Sequence, residues 1–265
     1  MNIVVCVKPV PDPEKYNLLK IDPKTKRLVR EGIPTIVNPS DENAMEAALK
    51  LKEAHGGKVI VVSMCPLFSQ DRIQKCLAMG ADEAYIISDM AFAGADTFST
   101  SYTIAKAIEK IGIEADLIIT GNESADGATS QVSPQLGEWM ELPHVANVTE
   151  LSVDGDKVVA KKKTTDGFIT YKVAMPAVIG VSRGCNKPRI ASAMGIIKSK
   201  SKPLTVFTRA DLDVEDKFIG LVGSPTQPGA LIEPNMKRNA VAITGSTEEI
   251  AEQIIAIVKK AGINF

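Results

Sequence analysis

Short apolar runs alternate with stretches of helical spacing through the first half of the chain. Residues 1–8 (MNIVVCVK), 58–64 (KVIVVSM), 83–87 (EAYII) and 116–120 (DLIIT) are nearly continuous in apolar residues, and each is closed by proline, glycine or a polar turn. That pattern predicts strands buried on both faces. Between them, residues 42–55, 69–79 and 98–111 carry apolar side chains three and four apart, and glycines at 56–57 and 80 end the first two. These predict helices, the first packing on Ala44, Ala47, Ala48 and Leu51. The segment 38–41 (NPSD) offers N-cap side chains to it. A further helix follows at 131–140, with Val132, Leu136, Trp139 and Met140 at helical spacing. The order is β–α repeated, which implies an α/β fold: a doubly wound parallel sheet with right-handed crossovers.

After Pro143 the period changes. Residues 145–153, 157–163 and 168–173 alternate polar and apolar, joined by DGD at 154–156 and TDG at 165–167. They predict an antiparallel β extension built of hairpins, with Lys161, Lys162 and Lys163 on its wet face and edge. Residues 177–181 form another apolar strand, 189–198 a short helix, and 198–202 a basic strip. Early in the chain, 18–21 and 27–30 flank DPKTK and suggest a hairpin laid over the sheet. From residue 223 the composition loosens to GSPTQPG and EPN, then closes on an amphipathic helix at 247–261 with Ile250, Ile254, Ile255 and Val258 in one stripe. The expected division is a domain at 1–222 and a C-terminal arm at 223–265 that clasps a partner chain.

Composition narrows the functional classes. The 265 residues are 45% apolar and 24% charged, with a net charge of −1, as in a soluble globular protein with no general attraction to nucleic acid or anionic membrane. No apolar run approaches the ~20 residues of a membrane span, and the start shows no basic leader, so a cytoplasmic location is expected. Cys6, Cys65, Cys76 and Cys185 form no CxxC pair and read as buried reduced thiols; His55 and His144 are too few for a histidine metal site.

The unusual stretches are loops. Those at 8–13, 65–69, 88–97 and 121–130 all follow strands, so a doubly wound sheet gathers them at its carboxyl edge, where ligands bind. GNESADGATS at 121–130 has almost no bulk and runs into a helix N-terminus, where free N–H groups and the helix dipole favour an anion. The second loop, 89–97, is also built of small residues around Gly94, and Asp96 or Thr97 can cap the helix after it. GxGxxG, GxxxxGK[ST], GxSxG and HExxH are all absent, and no second carboxylate is evidently paired for acid/base work with Asp96 or Asp126. The residues therefore describe a chain that holds a nucleotide and assigns no catalytic residue of its own.

Several segments, in this order and spacing, resemble the β subunits of electron-transfer flavoproteins: MNIVVCVKPVPD, IVNPSDENAMEAALKLKE, LAMGAD at 77–82, ITGNESADGATSQVSPQ, MPAVIGV at 175–181 and PR…IIKSKSK at 188–202. The resemblance covers at least residues 1–202. It implies pairing with an α subunit that carries FAD. It also implies a nucleotide contacted by Cys6, Asn38, Pro39, Ser40, Asp41, Met64, Ser124, Ala125, Asp126, Gly127, Ala128, Thr129, Ser130 and Gln131, with phosphates on the amides near Thr129 and Ser130. In most such subunits the nucleotide is AMP without a redox role. Electron-bifurcating members, which carry a segment like AFAGADT followed by Thr100-Ser101, place a second FAD there. Phe92, Ala93, Gly94, Ala95, Asp96 and Thr97 would then lie by the flavin ring. The resemblance implies a subunit of an oxidoreductase complex, with little activity alone. Its FAD takes a hydride from NADH, or gives one to NAD, and divides electrons between ferredoxin or flavodoxin and a flavin dehydrogenase of lactate/2-hydroxyacid or acyl-CoA type. The alternative is a non-bifurcating subunit holding AMP. Two departures stand out: Asn122-Glu123-Ser124-Ala125 replaces a basic residue followed by Gln-Ala-Ile, and Ala193 replaces a larger aliphatic docking anchor. The smaller anchor forgoes roughly 1–2 kcal/mol of apolar contact and favours a partner outside the acyl-CoA group. A nucleotide sensor of the universal-stress type shares the sheet pattern but needs neither hairpin extension nor arm.

Overall fold

The computed structural model describes residues 1–18, 20–21, 28–29, 33–227, 229 and 240–263. Strand β1 (Asn2–Cys6) alternates its side chains between the two cores: Ile3 and Val5 enter one, Val4 and Cys6 the other. The prolines at 9 and 11 do not simply break the chain. They form a short strand β2 (Pro9–Pro11) that pairs with β5 (Thr35–Val37), and proline is tolerated there because the strand lies outside the main sheet. Strands β3 (Lys20–Ile21) and β4 (Leu28–Val29) pair antiparallel as the early hairpin; its turn at 22–27 lies outside the described residues. After β5 (Thr35–Val37) comes helix α1 (Pro39–His55), which starts three residues before the expected 42 because Pro39 occupies its first turn.

Then follow β6 (Lys58–Met64), α2 (Gln70–Met79), β7 (Glu83–Ile87), α3 (Thr97–Ile111), β8 (Leu117–Gly121) and α4 (Val132–Trp139). The hairpin strands are β9 (His144–Asp154), β10 (Lys157–Thr164) and β11 (Gly167–Ala174). Then come β12 (Ala177–Val181), α5 (Ala193–Ser199) and β13 (Leu204–Phe207). Among the described residues nine strands form one sheet in the order β11-β10-β9-β12-β8-β1-β6-β7-β13. From β9 to β13 every pairing is parallel; β10 and β11 add antiparallel strands to one end. The doubly wound α/β fold with an antiparallel extension is thus present, and the extension continues the main sheet. Lys161, Lys162 and Lys163 lie on β10, an inner strand, and the edge is β11; Lys161 pairs with Glu150 and covers the Phe168 ring. The basic strip at 198–202 is partly folded inward: Lys202 donates to the carbonyls of Leu77 and Ala81. It leads into β13, an edge strand not anticipated from the sequence, which pairs with β7.

Helices α1 and α2 cover one sheet face through Met45, Leu49, Ile73 and Leu77; α3 and α4 cover the other through Ile104, Ile108 and Leu136. Burying each such side chain contributes ~1.5–3 kcal/mol. Between α3 and α4, Phe98, Tyr102, Trp139 and Phe218 form a cluster of tilted rings with centroids 4.9–6.0 Å apart. This cluster fixes the spacing of the two helices whose N-termini flank the site. Chain contacts separate Met1–Gly229 from Ala230–Phe265. Of the expected arm, residues 228 and 230–239 lie outside the described residues. Within the second unit, helix α6 (Thr247–Lys260) begins with a reciprocal Ser246–Glu249 capping box, and Ile254 and Ile255 of its stripe are 46% and 42% exposed.

Candidate functional site

The strand order reverses between β1 and β8: from β1 the chain winds through β6 to β7, then returns by α3 to β8 on the other side. At such a switch point the following loops diverge and leave a crevice. A cavity of about 520 Å³ occupies it, lined by the ends of β1, β6 and β8 together with the loops at 92–97 and 121–131. This is the size of a small-molecule site.

One wall is the loop after β8. Ala128 and Ser130 stand in the left-handed region at φ 49° and 56°, a conformation that costs non-glycine residues ~1–2 kcal/mol each. Gly127 and Ala128 turn their amides back to the Ser124 carbonyl. Among the described residues, the amides of Thr129, Ser130 and Gln131 have no acceptor within the chain. They lead straight into the N-terminus of α4, whose first amides are free by construction. Strained backbone and a row of unpaired N–H groups make a cradle for an anion. The sequence placed Gln131 inside this helix; it is instead the residue before it, with no side-chain cap.

Asn38, Pro39 and Ser40 lie outside the cavity lining, and two of them hold this loop from behind. The Asn38 amide group donates to the Glu123 carbonyl at 2.8 Å and accepts the Ala125 amide at 3.0 Å; the Ser40 hydroxyl donates to the same Glu123 carbonyl. Asn38 sits at the N-cap position of α1 but makes no capping bond with its side chain, because that side chain is spent across the chain. Asp41 lines the cavity beneath them. Its carboxyl accepts the amide of Lys8 at 2.7 Å and the Asn38 side chain at 2.9 Å. Burial pushes its pKa up from 3.8 to about 7, against the lowering effect of those hydrogen bonds. Beside it the Cys6 thiol is pushed up to about 12, by burial first and then by Asp41, so it stays protonated and is no nucleophile.

Because the folded chain binds the Asp41 proton more tightly than the unfolded chain, the stability this gives is complete below pH 4. It is lost as pH rises through 7. Relative to Asp41→Asn, the protein should therefore lose about 1.4 kcal/mol for each unit by which the group is raised. Urea unfolding of both proteins between pH 4 and 8 checks this; parallel stability curves would contradict it.

The opposite wall is the loop before α3. Phe92 is buried in the second core and lines the cavity; Gly94, Ala95, Asp96 and Thr97 line it too, and Ala93 is exposed outside it. Asp96 is fully committed: one oxygen caps α3 at the Ser99 amide, the other accepts the Thr226 amide. The Thr97 hydroxyl bonds the Gln131 side chain at 3.1 Å and so joins the two walls. Met64, at the end of β6, closes the floor. Of the remaining expected residues, Ser124, Asp126, Gly127, Thr129 and Ser130 line the cavity, whereas Ala125 and Ala128 do not. Sequence reasoning missed Lys8, whose ammonium pairs with Asp126 at 2.7 Å. Its place at the end of a strand was the available signal. It also missed Asn122, Glu123 and Thr226; nothing local marks Thr226, which is brought in by the fold.

Small residues at the rim, a row of free amides and a crevice reaching from one loop to the other fit a phosphate-bearing ligand longer than a bare phosphate. Among the described residues no three His, Cys, Asp or Glu side chains gather to hold a metal ion, and no helix is long and apolar enough to cross a membrane.

Residues 25–212 match the electron transfer flavoprotein domain. The chain is 40% identical over 256 residues to the electron transfer flavoprotein subunit beta of Thermoanaerobacterium thermosaccharolyticum, covering 96% of each. It is 38% identical to the caffeyl-CoA reductase-Etf complex subunit CarD of Acetobacterium woodii, over 99% of this chain and 100% of that one. It is 32% identical to protein FixA of Azorhizobium caulinodans, over 98% of this chain and 94% of that one. With a fold, a switch-point cavity and full-length relatives in agreement, the chain belongs to the electron transfer flavoprotein family, among its β subunits.

Proposed function

We propose that this chain is the β subunit of a bifurcating electron transfer flavoprotein and holds FAD in the switch-point cavity. The observation that carries the reading is the length of the cavity. It does not end at the amide cradle of 129–131, as a mononucleotide corner could, but continues to Phe92, Gly94, Ala95 and Thr97. The amides of 129–131 would hold the phosphates of a dinucleotide there, and the small residues of 92–97 would leave room for its ring. When bound, FAD supplies hydride exchange with NAD(H) and one-electron delivery to ferredoxin or flavodoxin and to the α-subunit FAD.

The chain's own residues bind and orient. Asn38 and Ser40 fix the cradle loop, Thr97 and Gln131 hold the two walls at one separation, and Ala95 leaves room for a planar ring. Asp96 is consumed by backbone amides and Cys6 stays a thiol, so neither takes a proton role. Ile190, Met194, Ile196 and Ile197 are 93%, 60%, 51% and 65% exposed around α5, which suits docking of a dehydrogenase. The caffeyl-CoA reductase complex to which the Acetobacterium relative is assigned supports a partner of acyl-CoA type; the lactate alternative rests on Ala193 alone.

Acid extraction of the purified α/β complex, followed by chromatography, tests the reading. Flavin in both subunits and no AMP is the expected result. One flavin per heterodimer with AMP would make this a simple single-electron carrier, the second reading, favoured only by the compact anion cradle. The C-terminal unit is proposed to clasp the α subunit. Removing residues 230–265 should lower recovery of the α subunit in a pull-down while circular dichroism of Met1–Gly229 stays unchanged; undiminished recovery would remove the clasp.

A further inference from the structure

We infer that Glu123 sets which nucleotide the cavity accepts, disfavouring a terminal phosphate monoester and admitting the singly charged phosphoryl groups of a dinucleotide. The inference rests on the nucleotide-site reading above. Its starting point is Ser130, the hydroxyl nearest the cradle. That hydroxyl donates to a Glu123 carboxylate oxygen at 3.1 Å and accepts the Asn122 side-chain amide at 3.3 Å. A carboxylate only accepts, so the direction of the first bond is fixed. The Ser130 proton is turned away from any ligand, and the oxygen offers a phosphate only a lone pair. The cradle then binds through its backbone amides and the Thr129 hydroxyl, beside the Glu123 carboxylate.

Among the described residues, the remaining charges at the cavity do not offset this. Lys8 is the only cation lining it among the described residues, and it is paired with Asp126. Asp96 and Asp41 add carboxyl groups, and Cys6 remains a neutral thiol. Three amides satisfy one phosphoryl group carrying one charge. A monoester such as AMP places up to two charges on that single group above its second pKa of about 6. The linking phosphates of a dinucleotide each carry one charge at every working pH. On the group seated in the cradle the monoester thus brings up to two charges beside the exposed Glu123, whereas the dinucleotide brings one there and holds its second farther off, so the Coulomb repulsion is greater for the monoester.

The test uses the α/β complex stripped of nucleotide, with AMP and FAD titrated by calorimetry at pH 5.5 and 7.5. Glu123→Gln keeps an oxygen to accept the Ser130 hydroxyl and removes the charge. It should strengthen AMP binding by about tenfold at pH 7.5 and shift FAD binding by less than about threefold. The gain for AMP should shrink at pH 5.5, where the monoester is singly charged. Asp41 titrates in the same window in both proteins and cancels in their ratio. In a second variant, Glu123→Ala, charge and acceptor are removed together, which also frees the Ser130 proton, so AMP binding should strengthen at least as much as in Glu123→Gln. Equal shifts for AMP and FAD in Glu123→Gln, or no gain for AMP in Glu123→Ala, would overturn the assignment. The flavin content of the unmodified complex decides the FAD reading separately, so either can fail while the other stands.

Discussion

Gly121→Ala is expected to destabilise the β chain by about 4 kcal/mol and to empty the cavity of the nucleotide proposed for it. Gly121 ends β8, and its amide approaches the buried Asp41 carboxyl. A Cβ there would fall on the Asp41 carboxyl and the Ser40 hydroxyl and lie 2.9 Å from the Asp41 amide nitrogen. These are backbone and short, buried side chains at the start of α1, with no flexible end to swing aside. Displacing Asp41 strips the Lys8 amide and the Asn38 side chain of their acceptor, at ~1–3 kcal/mol each, and overpacking adds ~1–3 kcal/mol. Displacing Ser40 releases the Glu123 carbonyl, so the cradle loop loses its anchor as well. Gly112→Ala is the control: Gly112 has φ 69° with open space around its Cβ position, so it bears only the left-handed backbone cost of ~1 kcal/mol. Urea midpoints at an unchanged m-value, read beside bound nucleotide, compare the two. If Gly121→Ala costs no more than Gly112→Ala, the proposed coupling of α1 to the cradle is wrong.

Much of this architecture was legible because the signals were periodic. Val4, Val61 and Ile119 sit in apolar runs that only a strand buried on both faces explains, and the two DG turns announced the hairpins. The four strand-end loops were legible as a group, since the fold class gathers them at one edge. What was not legible depended on long-range pairing. Asn38 reads as a helix cap, and its real partners, Glu123 and Ala125, are distant in sequence and come near only when β8 lies beside β1. Thr226 reaches the cavity because Asp96 holds its amide, a contact no local pattern encodes. Strand β13 was missed because four residues after a basic strip carry too little periodicity to stand out. Glu123 could be read from the sequence as a departure, but the direction of its bond to Ser130 needed the geometry.

The second large effect is expected from Ala95→Leu, which should abolish FAD in the β subunit while AMP binding stays within about twofold of the parent. Ala95 lines the cavity on the side of the 92–97 loop, is half-buried, and has an ordinary backbone conformation. A leucine there takes up the space in which the ring of the proposed FAD would lie and leaves the backbone of 129–131 in place. Loss of FAD affinity of at least a hundredfold corresponds to about 2.7 kcal/mol of steric exclusion. Gly94, the more obvious target, cannot give a clean answer. At φ 77° its Cβ would lie 3.1 Å from the Leu221 Cβ. Any side chain at 94 therefore strains the backbone and presses on the 219–223 turn, whose Leu221 amide bonds the Ala93 carbonyl, and flavin would be lost for reasons unrelated to the ring. Ala95→Leu separates the ends of the cavity: a ligand that spans both is expelled, and one confined to the cradle remains. FAD retained at parental affinity would place the ring elsewhere and leave the 92–97 loop as a mere helix entry. FAD and AMP lost together would mean that the loop and the cradle act as one rigid unit through the Thr97–Gln131 bond, and Thr97→Val, which breaks that bond alone, should then reproduce the joint loss.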